Sequence, residues 1–274
     1  MRQEVLIDIC ANLCALCKEV GLYALDEQKK IGLSVSAVEE KGEIDFVTYV
    51  DKEVDRRLVE SLQELLPSAG FISEESGESG GDKEYYWVID PIDGTTNYIH
   101  GSGTFCISVA LIRNEVPVLG VVYEPTKNEL YYAWEGSKAY LNGNPINCSS
   151  NRLFSKAMVG FGFSYREELT RRITPFVSEL SQKTSTRCMG SAAAELCYIA
   201  KGAYDGYIHN DLHIWDIAAA SLILKQAGGN IRDFSASPQY LRSREIIAYS
   251  NQSIYGAIAA ALETASYFSL SENE

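Results

Sequence analysis

Trp87-Val88-Ile89-Asp90-Pro91-Ile92-Asp93-Gly94-Thr95-Thr96-Asn97 is the stretch on which the reading of the chain turns. It grows out of an apolar, β-prone run, Tyr85 to Ile89, that reads as a buried strand. The run then meets a carboxylate. Pro91 has a fixed φ and no N–H, so the strand is expected to end there as an interior ladder. Asp90 and Asp93 would leave the sheet on one tight turn and could converge on one point, with the Ile92 carbonyl between them as a third hard oxygen. Gly94 lets backbone come close to a ligand, and Thr95 adds a hydroxyl. Two carboxylates and a carbonyl suit an oxygen-seeking divalent cation such as Mg²⁺. The same residues also read as turn punctuation, the commonest fate of an Asp-Gly pair.

The flanking sequence supplies more acids at element ends. Upstream, Gly70-Phe71-Ile72-Ser73 reads as a short buried strand ending at Glu74-Glu75. If it neighbours the Trp87 strand, Glu74, Asp90 and Asp93 share a pocket. Ser76 to Lys83, rich in Gly, Ser and acids, is expected to be a surface loop. Before it, Gly42 to Thr48 leads to a helix with Thr48 as N-cap. Asp51 and Glu53 fall in its first turn, an ordinary place for acids. Its buried face is Val54, Leu58, Leu62, Leu65 and Leu66, and Pro67 stops it.

The amino-terminal segment, Val5 to about Ala24, has a helical apolar period through Leu6, Ile9, Cys10, Leu13, Cys14, Cys17 and Val20. Cys10, Cys14 and Cys17 share the C-x₃-C-x₂-C spacing of radical-SAM iron–sulfur enzymes. Those cysteines need a loop, and these lie within an amphipathic helix, where free Cys packs as a small apolar residue.

Downstream, four strands, Phe105 to Arg113, Val116 to Tyr123, Leu130 to Trp134 and Lys138 to Leu141, form an antiparallel meander. Gly101-x-Gly103 lacks the third glycine and the βαβ context of a dinucleotide fingerprint. After about Ser150 the chain alternates strand and helix, a layered α/β pattern. The strands are Ala157 to Phe161, Thr186 to Met189, Asp205 to His209, Asn230 to Phe234 and Glu245 to Tyr249. The helices are Arg166 to Leu180 (bent or split at Pro175), Ser191 to about Lys201, Ile217 to Ala227 and Ser253 to about Phe268. Gly190-Ser191-Ala192 would present N–H groups at a helix N-terminus, suited to a phosphate. Asp216 is expected to cap the helix it opens while its free oxygen binds metal.

The chain has 274 residues, 46% of them hydrophobic, enough for one large domain or two tightly joined ones. No apolar run approaches the roughly 20 residues that span a bilayer. Seven cysteines without a signal-peptide pattern point to free thiols in a reducing, cytoplasmic compartment. A net charge of −13 argues against general nucleic-acid or anionic-membrane binding. An anionic substrate would need a cation to reverse the field.

Taken together, these stretches resemble the inositol monophosphatase family of Mg²⁺-dependent, lithium-sensitive phosphatases over nearly the whole chain. The most specific element is Trp87 to Asn97, similar to the family signature W-x-I-D-P-[IL]-D-G-T-x-N. Val47-Thr48-Tyr49-Val50-Asp51, Phe71-Ile72-Ser73-Glu74-Glu75-Ser76, Gly190-Ser191-Ala192-Ala193 and Trp215-Asp216-Ile217-Ala218-Ala219 follow in the family's order. The resemblance implies a single domain over residues 1–274, folded as a layered αβαβα sandwich and usually seen as a homodimer. Within it, residues 1–150 form an α+β half and residues 151–274 a layered α/β half. It implies two to three Mg²⁺ per site. Glu74, Asp90 and the Ile92 carbonyl would hold the first, and Asp90, Asp93 and Asp216 the second. A weaker third would use Glu74. Thr95 and Asp51 would orient or deprotonate the attacking water. The Gly94 and Thr95 N–H groups would hold phosphate, with Ser191 and Ala192 on the sugar side. The implied reaction is hydrolysis of a small polyol phosphate, foremost inositol monophosphate. Related branches act on fructose bisphosphate, 3′-phosphoadenosine 5′-phosphate, histidinol phosphate or NADP. A non-catalytic Mg²⁺-binding scaffold is the third alternative. One departure bears on substrate: inositol-specific members carry a Glu seven residues before the Asp of Trp-Asp, and here His209 stands there, followed by Asn210 and Asp211. His209 could bond substrate or bind nothing, and Asp211 could supply the missing acid. His100 and His213 are expected near the site without a role.

Overall fold

The computed structural model describes residues 1–31, 38–40 and 46–265, with no side chains given for 31–48. In chain order the elements are α1 (Gln3–Ile31), β1 (Val38–Glu40), β2 (Phe46–Thr48), α2 (Tyr49–Leu65), β3 (Gly70–Ser73), β4 (Gly77–Ser79) and β5 (Tyr85–Asp93). Next come α3 (Thr95–His100), β6 (Cys106–Arg113), β7 (Val116–Glu124), β8 (Glu129–Trp134), β9 (Ala139–Leu141) and β10 (Asn144–Ile146). The second half comprises β11 (Met158–Phe161), α4 (Glu167–Lys183), β12 (Ser185–Arg187), α5 (Ala192–Ala200), β13 (Gly206–His209) and α6 (Ile214–Gln226). It closes with β14 (Asn230–Arg232), α7 (Tyr240–Ser243), β15 (Ile246–Tyr249) and α8 (Gln252–Thr264).

An eight-stranded sheet runs β10-β9-β8-β7-β6-β5-β3-β4, and a five-stranded sheet runs β12-β11-β13-β15-β14. β5 is buried on both faces, which is why its sequence is apolar without alternation. Trp87 and Ile89 pack with Leu13 and Cys17 of α1 and Val54 and Leu58 of α2. Val88, between them, faces the other way, onto Leu196 of α5 and Ala219 of α6. Those two helices fill the space between the sheets, and α4 and α8 cover the far side of the second sheet through Phe176 and Ile258. The layers are therefore α, β, α, β, α. Helix α6 sits unusually close to the first sheet. A Cβ on Gly120 of β7 would lie 2.5 Å from the Ala219 carbonyl, so only glycine admits that approach.

Several expectations need correction. β5 does not stop at Asp90 but runs on to Asp93. Its register against β6 shifts between Asp90, opposite Ser108, and Asp93, opposite Cys106. The missing N–H of Pro91 falls inside this bulge, where no ladder bond is required. The segment after Glu75 is not all loop: Gly77–Ser79 pairs antiparallel with β3 as an exposed edge strand. Asn144–Ile146 adds a hairpin partner to β9, and α7 was not foreseen. Helix α4 continues through Pro175 to Lys183. The expected Thr48 cap, the start of the Gly42 to Thr48 lead-in and the helix end beyond 265 lie outside the described side chains or residues.

Cys10 and Cys17 are buried in the core on α1, and Cys14 is partly buried. Among the described residues the group able to hold a metal is made of carboxylates, not thiols. The iron–sulfur spacing is thus a by-product of helical packing. No helix among the described residues is long and apolar enough to cross a membrane.

Candidate active site

The β5 bulge aims Asp90 and Asp93 out of the end of the strand into a cavity of about 480 Å³. Asp90 Oδ1 accepts the Ile92 N–H at 3.1 Å, which closes the turn. Asp216 arrives from the first turn of α6, and ligand oxygens of Asp90, Asp93 and Asp216 all lie within 4.8 Å of one another. Glu74, just past β3, lines the same cavity and hydrogen-bonds Asp90. Parallel pairing of β3 with β5 is what brings these two acids together.

Clustered carboxylates out of water resist ionisation. Burial first, then the charges of Glu74, Asp93 and Asp216, push the Asp90 carboxyl well above its ordinary range. Burial and the Asp93 charge do the same to Asp216. Asp93 is also raised by burial, but bonds from Ser191, Ala193, Ala192 and Cys106 oppose the shift. Three converging carboxylates that repel one another, with no nitrogen or sulfur among them, fit a hard divalent cation of the Mg²⁺ class.

Asp93 sits at the N-terminus of α5. Ser191 Oγ and the Ala193 N–H donate to its Oδ2 at 2.7 Å each, and the Ala192 N–H donates to Oδ1 at 3.2 Å. The phosphate cradle expected at Gly190-Ser191-Ala192 is therefore corrected: the anion held by this helix N-terminus is the protein's own carboxylate. Gly190, Ser191 and Ala192 do line the cavity. Asp216 also needs correction. It is the third residue of α6 and not its cap. The cap is His213, whose N–H donates to Asp216 Oδ2 at 2.7 Å in a capping box.

Gly94 carries the chain from β5 into α3 with φ 96°, a left-handed value. It packs so closely that a Cβ there would lie 3.0 Å from the carbonyls of Gly190 and Thr104. Thr95, the next residue, donates its hydroxyl to Asp51 Oδ1 at 3.2 Å and has the Ile92 carbonyl at 3.1 Å. Asp51 is buried in the first turn of α2, 44 residues away in sequence.

The opposite wall carries His209 at the end of β13. Its Nδ1 accepts the Asp211 N–H at 3.0 Å, so a neutral ring carries its proton on Nε2. Burial lowers its pKa to about 4, against a smaller opposing pull from Asp211. Gly162 leaves room for the ring, since a Cβ there would meet Cδ2 at 2.2 Å. Asp211 lines the same cavity. Its carboxylate pairs with Arg244 at 2.7 Å and Arg166 at 3.2 Å and accepts from Ser164. Burial alone would raise this carboxyl, but Ser164 and the two guanidiniums hold it below the usual range. His213 stacks on Trp215 at 4.4 Å with its Nε2 2.9 Å from Arg244, and both rings line the cavity. His100 is exposed at the end of α3 and does not line it.

The structure thus gathers Glu74, Asp90, Ile92, Asp93, Gly94, Thr95, Gly190, Ser191, Ala192, His209 and Asp216 around one cavity. Asp51 stands behind Thr95. Ser164, Tyr165, Arg166 and Arg244 were not anticipated. The first three sit together on the loop before α4 and Arg244 on the loop before β15, with no periodicity or spacing to mark them, and Arg244 itself has φ 63°.

The family model for the inositol monophosphatase family matches residues 7–267. A fructose-1,6-bisphosphatase/inositol-1-monophosphatase from Aquifex aeolicus is 40% identical over 194 residues, covering 70% of this chain and 74% of that protein. The Nus factor SuhB of Pseudomonas aeruginosa is 35% identical over 223 residues, 79% of this chain and 82% of its own. Among solved structures, the Thermotoga maritima IMPase superposes with a TM-score of 0.83 at 33% identity, covering 94% of this chain and 98% of that one. The layered fold, the acidic triad at the end of β5 and these matches together place the chain in the inositol monophosphatase family.

Proposed function

We propose that this chain is a Mg²⁺-dependent phosphomonoesterase for a small polyol phosphate, foremost inositol monophosphate. It would work as one cytoplasmic unit over residues 1–274, assembled as a homodimer. The observation that carries the reading is the convergence of Asp90, Asp93 and Asp216 within 4.8 Å, beside Glu74, in a cavity of about 480 Å³. A cavity so acidic repels a phosphate dianion. Two to three Mg²⁺, held by Glu74, Asp90, the Ile92 carbonyl, Asp93 and Asp216, would reverse that sign, lower the pKa of a bound water and neutralise the leaving oxygen.

This chain's own groups do the rest. Thr95 has one hydroxyl proton and two acceptors within reach, Asp51 Oδ1 and the Ile92 carbonyl. With that proton on Asp51, the Thr95 oxygen is left to accept from the attacking water and hold it in line with the scissile bond. A threonine hydroxyl has no useful basicity, so any net proton transfer ends on Asp51. In-line placement and charge stabilisation suffice for phosphoryl transfer, without a nucleophilic side chain. The Gly94 and Thr95 N–H groups face the phosphate oxygens. His209, neutral above about pH 4, offers an Nε2–H to a substrate oxygen where inositol-specific relatives offer a carboxylate.

The name of the Aquifex aeolicus relative supports fructose 1,6-bisphosphate as the second substrate to try. The test is phosphate release from a panel of sugar, inositol and nucleotide phosphates at several Mg²⁺ concentrations. Release restricted to small polyol phosphates and abolished by chelation supports the reading. Release that survives thorough chelation overturns it, and so does inactivity on every substrate. A role beyond hydrolysis, of the kind suggested by relatives named Nus factor SuhB, needs its own binding test, because net charge alone does not decide it.

A further inference from the structure

Glu195 lies on α5 one turn beyond Ser191 and is fully buried. Its Oε2 accepts the Met189 N–H at 3.2 Å, and the Gly190 N–H also bonds the carboxyl. Its Oε1 is buried without a hydrogen-bond partner. Acids are almost never buried this way, and an orphaned polar atom calls for an explanation. Space is kept for it, since a Cβ on Gly160 would lie 2.7 Å from Oε1.

The segment it holds, 188–190, lies between β12 and the start of α5. From the other side Asn97 Nδ2 donates to the Met189 carbonyl at 2.6 Å. The turn is therefore clamped between α5 and α3. Immediately after it stand Ser191, Ala192 and Ala193, the three residues that grip Asp93. Moving the turn moves all three donors together.

We infer that Glu195 is a positioning residue for the metal-binding end of the site: it fixes the 188–190 turn, so that Asp93 is presented to the cation in one orientation. This rests on the metal-site reading above. Glu195 touches neither cation nor substrate. Outer partners of metal ligands set affinity by orienting those ligands.

The chemistry of the group agrees. Burial, reinforced by the Asp93 charge and opposed by the Met189 and Gly190 N–H groups, pushes the Glu195 carboxyl up to about 8. The titratable groups around it are Asp93 on β5, Cys188 in the turn, Tyr204 just before β13 and Tyr207 on it. Near neutrality it is an uncharged acid that accepts N–H bonds without adding to the negative field on Asp93. Above pH 8 it ionises and does add to it. Glutamine mimics the first state at every pH.

The experiment compares full-length wild type, Glu195→Gln and Glu195→Ala. Mg²⁺ binding to metal-free protein is measured by calorimetry from pH 6.5 to 9.5, beside initial rates and melting curves. Glu195→Gln is expected to bind Mg²⁺ within about twofold of wild type at pH 7, and Glu195→Ala about tenfold more weakly or worse, with substrate KM moved less. The change in Mg²⁺ affinity with a midpoint near pH 8 should be present in wild type and absent from Glu195→Gln. Folded Glu195→Ala that binds Mg²⁺ like wild type overturns the inference, as does a pH 8 midpoint that persists in Glu195→Gln. If Glu195→Ala does not fold, the Glu195→Gln profile decides. Wild type that binds no Mg²⁺ at all brings down the site reading itself, and this inference with it.

Discussion

Thr95 of α3 and Asp51 of α2 meet at 3.2 Å across 44 residues of chain, with the carboxylate buried and the hydroxyl at the cavity wall. This contact gives a threonine something to pass a proton to. Thr95→Ala and Asp51→Asn should each lower kcat about 10²- to 10⁴-fold, the usual worth of general acid–base assistance. Because the two act as one unit, the double variant should lose little beyond the worse single one. Steady-state rates on the four proteins check this, and additive losses would break the pair apart.

Asp93→Asn should abolish turnover. An amide also places an NH₂ against donors now aimed at carboxylate oxygens from Ser191, Ala192 and Ala193. The variant should therefore be less stable by about 1–3 kcal/mol yet folded. Denaturant titration and circular dichroism give the second half, phosphate release the first. Folded, fully active Asp93→Asn protein would refute the metal assignment.

Mg²⁺ should stabilise the wild-type fold, because the folded state gathers Asp90, Asp93 and Asp216 and the unfolded chain does not. At a free concentration one hundred times Kd the gain is about 2.7 kcal/mol per site. Melting temperature should rise with added Mg²⁺, fall back with chelator, and rise less in Asp93→Asn, which keeps Glu74, Asp90 and the Ile92 carbonyl but loses a ligand of the second ion.

His209 should titrate near pH 4 in the folded protein, well below its ordinary 6.5, with burial as the main cause. The unfolded chain then takes up this proton first. Its stabilising effect is present above pH 6.5 and is lost as pH falls from 6.5 towards 4. Replacing His209 with Gln should flatten stability over that window. The ring-proton shifts in NMR check the midpoint directly. The rate profile should carry no His209 ionisation between pH 6 and 7.

Gly94→Ala forces a left-handed φ on a residue with a Cβ and pushes it within 3.0 Å of the Gly190 and Thr104 carbonyls. The conformational cost alone is about 1–2 kcal/mol. Activity should fall with stability, since the same shift disturbs Asp93 and Thr95. Chemical denaturation and kcat, measured together, test the coupling.

What the sequence determined by itself was local. The apolar run to Ile89, the Asp90-Pro91-Ile92-Asp93 turn and the glycine after it were all legible, because strand burial, proline geometry and a positive φ each leave a mark on neighbouring residues. The helical period of α1 also settled the fate of Cys10 and Cys17. The order of short motifs was enough to name a family and its layers. The tertiary structure alone decided which partner each group takes. Asp93 claims the N-terminus of α5 that spacing offered to a phosphate, because a carboxylate placed there satisfies the same N–H donors. Asp211 lines the cavity paired with Arg166 and Arg244, which come from loops that no periodicity marks. Contacts between residues tens of positions apart depend on how β3, β5, α2 and α6 pack, and a one-dimensional pattern carries no record of that distance.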